Sequence, residues 1–204
     1  GLADGEHNWS VSCYDNSTDH NFRQGEVSYF TVDTINPMVI LNTPENESFF
    51  NYSYVTFNYT PSDTNLLNCT LYANFSGSYG PITYNLTPQS GLSNYFYYSV
   101  PDGVFVWNVL CYDESKRLGF YENNYTLSID TTPPEYSEMS VNPVSPVTYS
   151  EPSFYEFNVT WIDNLELGEV ILEHNFSGIM QNQVVNYHNG NIYSSGLQIQ
   201  RNLF

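Results

Sequence analysis

The sequence predicts an all-β chain made of tandem β-sandwich modules with seven strands each, and three observations carry that expectation. One phrase is written twice. "DGEHNWSVSCYD" at 4–15 and "DGVFVWNVLCYD" at 102–113 share Asp, Gly, Trp, Val, Cys, Tyr and Asp in register, 98 residues apart. Short stretches of alternating polarity are separated by clusters of Gly, Pro, Asn, Asp and Ser, and no segment keeps a helical period for three turns. Aromatic residues fill 17% of the 204 positions, 19 of them Tyr, which suits a pleated, half-buried surface.

Taken in order, residues 1–36 read as the two closing strands of a first module. The repeated phrase supplies one, with Trp9, Val11 and Cys13 expected inward and Asn8 outward. "VSYFTVDTINP" at 27–37 supplies the other, and "NNYTLSIDTTPP" at 123–134 answers it. A complete module is expected over 37–134, with strands at Met38–Asn42, Tyr54–Thr60, Leu67–Ala73, Ile82–Leu86, Tyr95–Val100, Val104–Tyr112 and Asn124–Ile129. Seven short strands in about 100 residues is the pattern of a sandwich. Residues 135–204 repeat its first five strands. "EFNVT" at 156–160 answers "TFNYT" at 56–60, Asp163 answers Asp63, and "NFSG" at 175–178 answers "NFSG" at 74–77.

The expectation is therefore that residue 1 falls partway through a copy and that the third copy needs its two closing strands from elsewhere. Their inward apolar side chains, at ~1.5–3 kcal/mol each, are worth on the order of 10 kcal/mol. Downstream residues of a longer array would supply them, or residues 1–36 of a neighbouring copy would complete the face head to tail.

Four Lys plus Arg stand against 22 Asp plus Glu, a formal charge of −18. Such a polyanion repels nucleic acid and anionic lipid, so neither is expected as a partner. No apolar run approaches the ~18 residues that span a bilayer, and the first residues lack the basic-then-apolar pattern of a signal peptide.

The setting is read from Asn. With 25 Asn and 37 Ser plus Thr, chance gives about 4 to 5 Asn-x-Ser/Thr sequons. The chain holds 11: Asn8, Asn16, Asn46, Asn51, Asn58, Asn68, Asn74, Asn85, Asn124, Asn158 and Asn175. Alternation places the strand-borne ones (Asn8, Asn58, Asn68, Asn124 and Asn158) on the solvent face, opposite Leu67, Cys69, Leu71 and Ala73 in the third strand and Val55, Phe57 and Tyr59 in the second. Covalent N-glycans and an extracellular location are the expectation.

Asp102-Gly-Val-Phe105 looks like the D-x-G-x-Y approach to strand F of immunoglobulin and fibronectin type III modules, with Phe105 at the corner tyrosine's place. With the Asp130-Thr-Thr-Pro-Pro134 junction, the chain resembles the tandem Ig-like modules of archaeal and bacterial cell-surface proteins: S-layer, stalk or filament. The resemblance implies a fold and a cell-surface setting. In an Ig-type sheet the third and sixth strands are neighbours, so the inward Cys69 and Cys111 are expected to form a disulfide closing about 43 residues. Cys13, the copy of Cys111, then has its partner upstream of residue 1, and Val170 stands where the complete module has Cys69.

Catalytic chemistry is not expected. His7, His20, His174 and His188 have no spacing that sets two on one face, and no phosphate loop, nucleophile elbow or His-Glu-x-x-His occurs. Lys116, the single lysine, sits in a loop beside Arg117, unsuited to a buried Lys–Asn crosslink. For metals, Asp15, Asp19 and Asn21 in "DNSTDHN" form a calcium candidate, set against an ordinary Asx turn; no other cofactor is expected. The function expected is mechanical: a rod, spacer or coat with stiff "DTINP" and "DTTPP" joints, glycans on its sides, and neighbouring modules or head-to-tail copies as partners. The alternative is an adhesin module whose Tyr95, Tyr97 and Tyr98 stack on a sugar or grip a protein.

Overall fold

The computed structural model describes residues 1–142, 144, 146, 154–185 and 192–200. Every regular element among them is a β-strand, and no helix among them is long and apolar enough to cross a membrane. The N-terminal strands are β1 (Gly5–Trp9), β2 (Ser12–Tyr14), β3 (Phe22–Gln24) and β4 (Ser28–Val32). β1 pairs antiparallel with β4, and β2 with β3.

Nine strands follow: β5 (Met38–Thr43), β6 (Ser48–Phe50), β7 (Tyr54–Ser62), β8 (Leu66–Ala73), β9 (Gly80–Asn85), β10 (Asn94–Ser99), β11 (Gly103–Asp113), β12 (Leu118–Phe120) and β13 (Tyr125–Ile129). They form one sheet in the order β10-β7-β5 and another in the order β6-β13-β11-β8-β9, with β12 also paired to β11. Two mainly antiparallel sheets in this arrangement make a sandwich of the immunoglobulin-like, fibronectin type III-like kind.

The C-terminal strands are β14 (Glu135–Asn142), β15 (Phe154–Ile162), β16 (Val170–His174), β17 (Gln181–Val185) and β18 (Ile192–Gln200). Their sheet order β14-β15-β18 repeats β5-β7-β10, and the β16–β17 hairpin repeats β8–β9. Likewise β1–β4 and β2–β3 repeat the pairings of β11 with β13 and β12. By internal packing the chain divides into two compact units. One comprises Gly1–Ser48, Val55–Tyr98 and Phe105–Leu127, the other Phe49–Tyr54, Ser99–Val104 and Ser128–Phe204.

Period-two alternation builds the core. Val39 and Leu41 of β5, Val55, Phe57 and Tyr59 of β7, Cys69, Leu71 and Ala73 of β8, and Trp107, Val109 and Cys111 of β11 are all buried. Trp107 lies edge-on to Phe57 at 4.9 Å between ring centroids, and Tyr59 stacks on Phe96 at 4.9 Å. Cys111 faces Cys69 across the β8–β11 ladder, Cα–Cα 4.0 Å, and the two are bonded, S–S 2.01 Å. Buried Asn94 fills its own hydrogen-bonding needs. Its Nδ2 donates to the carbonyls of Gln89 (2.9 Å) and Leu92 (2.8 Å), and its Oδ1 accepts from Gln89 N–H (2.9 Å).

Three expectations change. Three short strands, β3, β6 and β12, were not anticipated, since three residues are too few to show a period. Leu67 was expected inward but is 46% exposed. The ladder pairs Tyr112 with Asn68 and Asp113 with Leu66, so Leu67 is the extra residue of a β-bulge that reverses the alternation. Trp9 and Val11 were expected inward with Cys13, yet are 56% and 62% exposed, and Cys13 is an exposed free thiol. β1–β4 and β2–β3 are two-stranded pairs, and the apolar side chains Trp9, Val11, Phe22 and Tyr29 on them stay exposed.

Burial pushes the Tyr59 phenol up to about 12, against the lowering pull of the Asn85 amide. A raised folded-state pKa means the stabilisation is whole below about 10, the unfolded value, and is lost as pH rises through about 12. The loss amounts to roughly 2–3 kcal/mol. Alkaline unfolding followed by circular dichroism should show it, and Tyr59→Phe should flatten that part of the profile; an unchanged profile would refute the linkage. Replacing both Cys69 and Cys111 by Ala should lower stability by about 2–4 kcal/mol in denaturant titration. Gly119→Ala should cost about 1–3 kcal/mol, because a Cβ there runs into the Pro37 carbonyl, which is backbone and cannot swing aside, and thermal unfolding will read it.

Candidate functional site

The chemistry-bearing side chains gather where the linker residues 33–37 meet the turns of the module that follows. Linker carboxylates behave as Asx residues do, capping the backbone two residues on. Asp33 Oδ1 accepts from Ile35 N–H at 3.1 Å, and Asp63 Oδ1, in the β7–β8 turn, from Asn65 N–H at 2.7 Å. Asn65 Nδ2 reaches Asp33 Oδ2 at 3.5 Å. Asp113 ends β11 at 0% exposure, and its Oδ1 accepts from Arg117 N–H at 2.8 Å. Its Oδ2 is buried without a hydrogen-bond partner.

One carboxylate oxygen from each of Asp33, Asp63 and Asp113 lies within 4.8 Å of the other two. Like unit charges at such a distance repel by roughly 3–4 kcal/mol per pair near a protein surface. Arg117 reaches the same corner but spends its Nε on the Asp33 carbonyl (3.2 Å) and its Nη1 on Asn36 Oδ1 (3.4 Å).

A second feature ties the linker to the strand before it. Asp4 Oδ1 accepts from Thr34 N–H and its Oδ2 from the Thr34 hydroxyl, both at 3.0 Å. The copy does the same. Asp102 Oδ1 accepts from Thr131 N–H (3.1 Å) and hydroxyl (2.8 Å), and its Oδ2 from the Thr132 hydroxyl (2.8 Å) and Asn164 Nδ2 (3.3 Å). The Thr132 and Thr131 hydroxyls hold the Asp102 carboxyl below its ordinary value. The Asx turns recur too: Asp130 Oδ1 accepts from Thr132 N–H (3.2 Å), and buried Asp163 Oδ1 from Leu165 (2.9 Å) and Glu166 (3.1 Å). Asp130, Asp163 and Glu166 line a groove of about 580 Å³ that also takes in sequon Asn51.

All 11 sequon asparagines are described. Asn8, Asn16, Asn46, Asn51, Asn124 and Asn175 are exposed, and Asn58, Asn68, Asn74, Asn85 and Asn158 half-buried. Five accept a hydrogen bond at Oδ1. Asn46 accepts from Thr126 N–H (2.8 Å), Asn58 from Asn42 Nδ2 (3.1 Å), Asn74 from Val106 N–H (2.8 Å), Asn124 from Asn108 Nδ2 (2.8 Å) and Asn85 from Thr87 N–H (3.1 Å). Among the described residues the Nδ2 of the first four, the atom a glycan takes, donates to nothing. Asn85 is engaged at both ends: its Nδ2 donates to the Tyr59 hydroxyl (3.0 Å) and to Asn94 Oδ1 (3.2 Å).

The other expected residues fall as follows. Asp15 accepts from Ser17 N–H and hydroxyl (3.1 and 2.6 Å) and from Asn21 N–H and Nδ2 (3.1 and 2.9 Å). The Ser17 hydroxyl, then the Asn21 amide, draw its carboxyl down to about 2. Both its oxygens are thus engaged in an Asx-type turn, while Asp19 is exposed. His7 stacks on Phe30 (5.5 Å) and His174 on Phe176 (4.3 Å), His20 sits in a turn with φ 46, and His188 lies outside the described residues. Tyr95 and Tyr97 are exposed and stacked at 6.3 Å, whereas Tyr98 packs inward on Phe75 at 5.4 Å. Lys116 is exposed in a turn, and buried Val170 packs with Leu167 and Trp161.

Sequence reasoning missed the Asp4–Thr34 latch and the convergence of Asp33, Asp63 and Asp113. A signal was present: Asp4 and Asp102, Asp33 and Asp130, and Asp63 and Asp163 occupy matching places in the repeat.

No protein family's profile and no curated protein matches the chain. Among solved structures it is similar to the fibronectin(III)-like modules of Clostridium thermocellum CbhA, with a TM-score of 0.36, 16% sequence identity, and 63% of each chain covered.

Proposed function

We propose that this chain is a structural segment of a heavily N-glycosylated extracellular surface protein or filament, serving as rod, spacer or coat. The observation that carries the reading is the recurrence of one latch, Asp4 on Thr34 and Asp102 on Thr131 and Thr132. An Asp at the foot of a strand gripping the threonine of a Pro-ended linker restrains the chain where successive sandwiches join, and a repeated restraint suits a regular array. In this reading residues 1–36 close a first module, 37–134 form a whole one, and 135–204 open a third. The exposed Trp9, Val11, Phe22 and Tyr29 belong against a neighbouring module of the same chain or a head-to-tail copy. No catalytic role, nucleic acid or membrane contact is part of it. Electron micrographs of the native material should show long, regular fibres or a lattice; isolated compact particles would overturn the reading.

Glycosylation is part of the same proposal. Peptide mapping of native material should find Asn46 and Asn124 occupied, because their Oδ1 anchors hold the free amide nitrogen outward. Asn85 should be bare, since a glycan there would break its bonds to Tyr59 and Asn94. A bare Asn46 and Asn124, or a glycan on Asn85, would contradict it.

A second reading, the adhesin module, is favoured by one observation: the exposed Tyr95 and Tyr97 stack side by side on β10, the edge strand of its sheet. Saturable binding on a glycan array that Tyr95→Ala and Tyr97→Ala abolish would establish it.

A further inference from the structure

We propose that Asp33, Asp63 and Asp113 form a calcium site that staples the linker to the module it enters. The site stands on side-chain geometry and does not depend on the array reading above.

Asx capping explains why Asp33 and Asp63 occupy their turns, because one oxygen of each caps a backbone N–H. It does not explain why a third carboxylate is brought to them fully buried. Asp113 Oδ2 has neither a donor nor water-facing surface, and a buried polar atom left without a hydrogen bond is costly to a fold. Its own repeat copy shows the alternative: Asp15 closes both oxygens internally with Ser17 and Asn21. Asp113 takes one backbone N–H and leaves the other oxygen over. The nearby guanidinium makes no ion pair with the three carboxylates, its Nε and Nη1 being bonded to a carbonyl and an amide oxygen, and one positive charge does not balance three carboxylates.

The donor set selects the ion. Three carboxylate oxygens within 4.8 Å of one another have a common point no more than about 2.8 Å from each, within reach of the 2.3–2.6 Å of Ca²⁺–oxygen bonds. Magnesium demands near-ideal octahedral geometry and sheds its water reluctantly, which suits three carboxylates set by irregular turns less well. Zinc sites are built chiefly on Cys and His, with carboxylates as companions, and this corner offers carboxylates alone. Calcium accepts six to eight oxygens, so three carboxylates, mono- or bidentate, with carbonyl or water oxygens completing the shell, suit it.

The test uses the whole oxidised chain freed of metal by a chelator. Calcium chloride is titrated in by calorimetry, and thermal unfolding is followed with calcium, with magnesium and with neither. The wild type should bind calcium and melt at a higher temperature with it than with equal magnesium. Asp33→Asn and Asp63→Asn, which keep an oxygen for the turn, should each weaken calcium affinity at least tenfold. In the metal-free state they should melt no lower than the wild type, because removing one charge relieves the repulsion; a merely structural role would lower it. Asp15→Asn should leave calcium affinity unchanged. Absence of calcium binding, equal stabilisation by magnesium, or affinity unmoved in Asp33→Asn and Asp63→Asn would each overturn the site. Asp113→Asn is not required, so a folding failure there leaves the outcome decided.

Discussion

The structure depends on the seam between the two facing sheets of the complete module, where the Trp107 ring meets the edge of Phe57. Each sheet has an apolar inner face that is worth burying only against the other. Trp107 on β11 and Phe57 on β7 bring those faces together, and Cys69 and Cys111 bind β8 to β11 within one of them. Around this seam Phe75 stacks on Tyr98 and meets Phe105 and Phe57, so these rings form one connected cluster. A fused aromatic and disulfide core is rigid enough to hold the surrounding turns in fixed places.

Fixed turns are what the polar chemistry of this chain requires. Acidic residues outnumber basic ones 22 to 4, so carboxylates cannot in general be neutralised by side chains. The structure deals with them in two ways. Some become hydrogen-bond acceptors for backbone N–H groups and for threonine or serine hydroxyls, as Asp4, Asp15 and Asp102 do. Such bonds draw on the fixed dipoles of the chain and need no counter-charge. At the corner of Asp33, Asp63 and Asp113 the donors run out, and negative charge accumulates between the linker and the body of the module. The same contrast runs through the asparagines. At Asn46, Asn58, Asn74 and Asn124 a neighbouring donor holds Oδ1 and the amide nitrogen is left over; at Asn85 Oδ1 is held by Thr87 N–H and the nitrogen is consumed by Tyr59 and Asn94.

Much of the fold was legible because it is written in short-range pattern. Alternation at Val55, Phe57 and Tyr59 names the buried face of one strand without reference to any other. The two copies of the Trp-Val-Cys-Tyr-Asp phrase mark equivalent strands, and their pairings with β4 and β13 repeat accordingly. The pairing of Cys69 with Cys111 followed from strand neighbourhood in the fold the repeat resembles.

By itself, then, the sequence determined the all-β class, the period of about a hundred residues, most inward faces and the sequon positions, since each is a property of one strand or of two matched stretches. Tertiary structure alone decided the rest. The bulge that turns Leu67 outward comes from how Tyr112 and Asp113 register against β8, and the exposure of Trp9 and Val11 from what lies across the sheet. The approach of Asp33, Asp63 and Asp113, spread over 81 positions of chain, exists only once β7, β11 and the linker occupy their places. Alternation states which side a residue faces; only strand pairing and packing state what waits there.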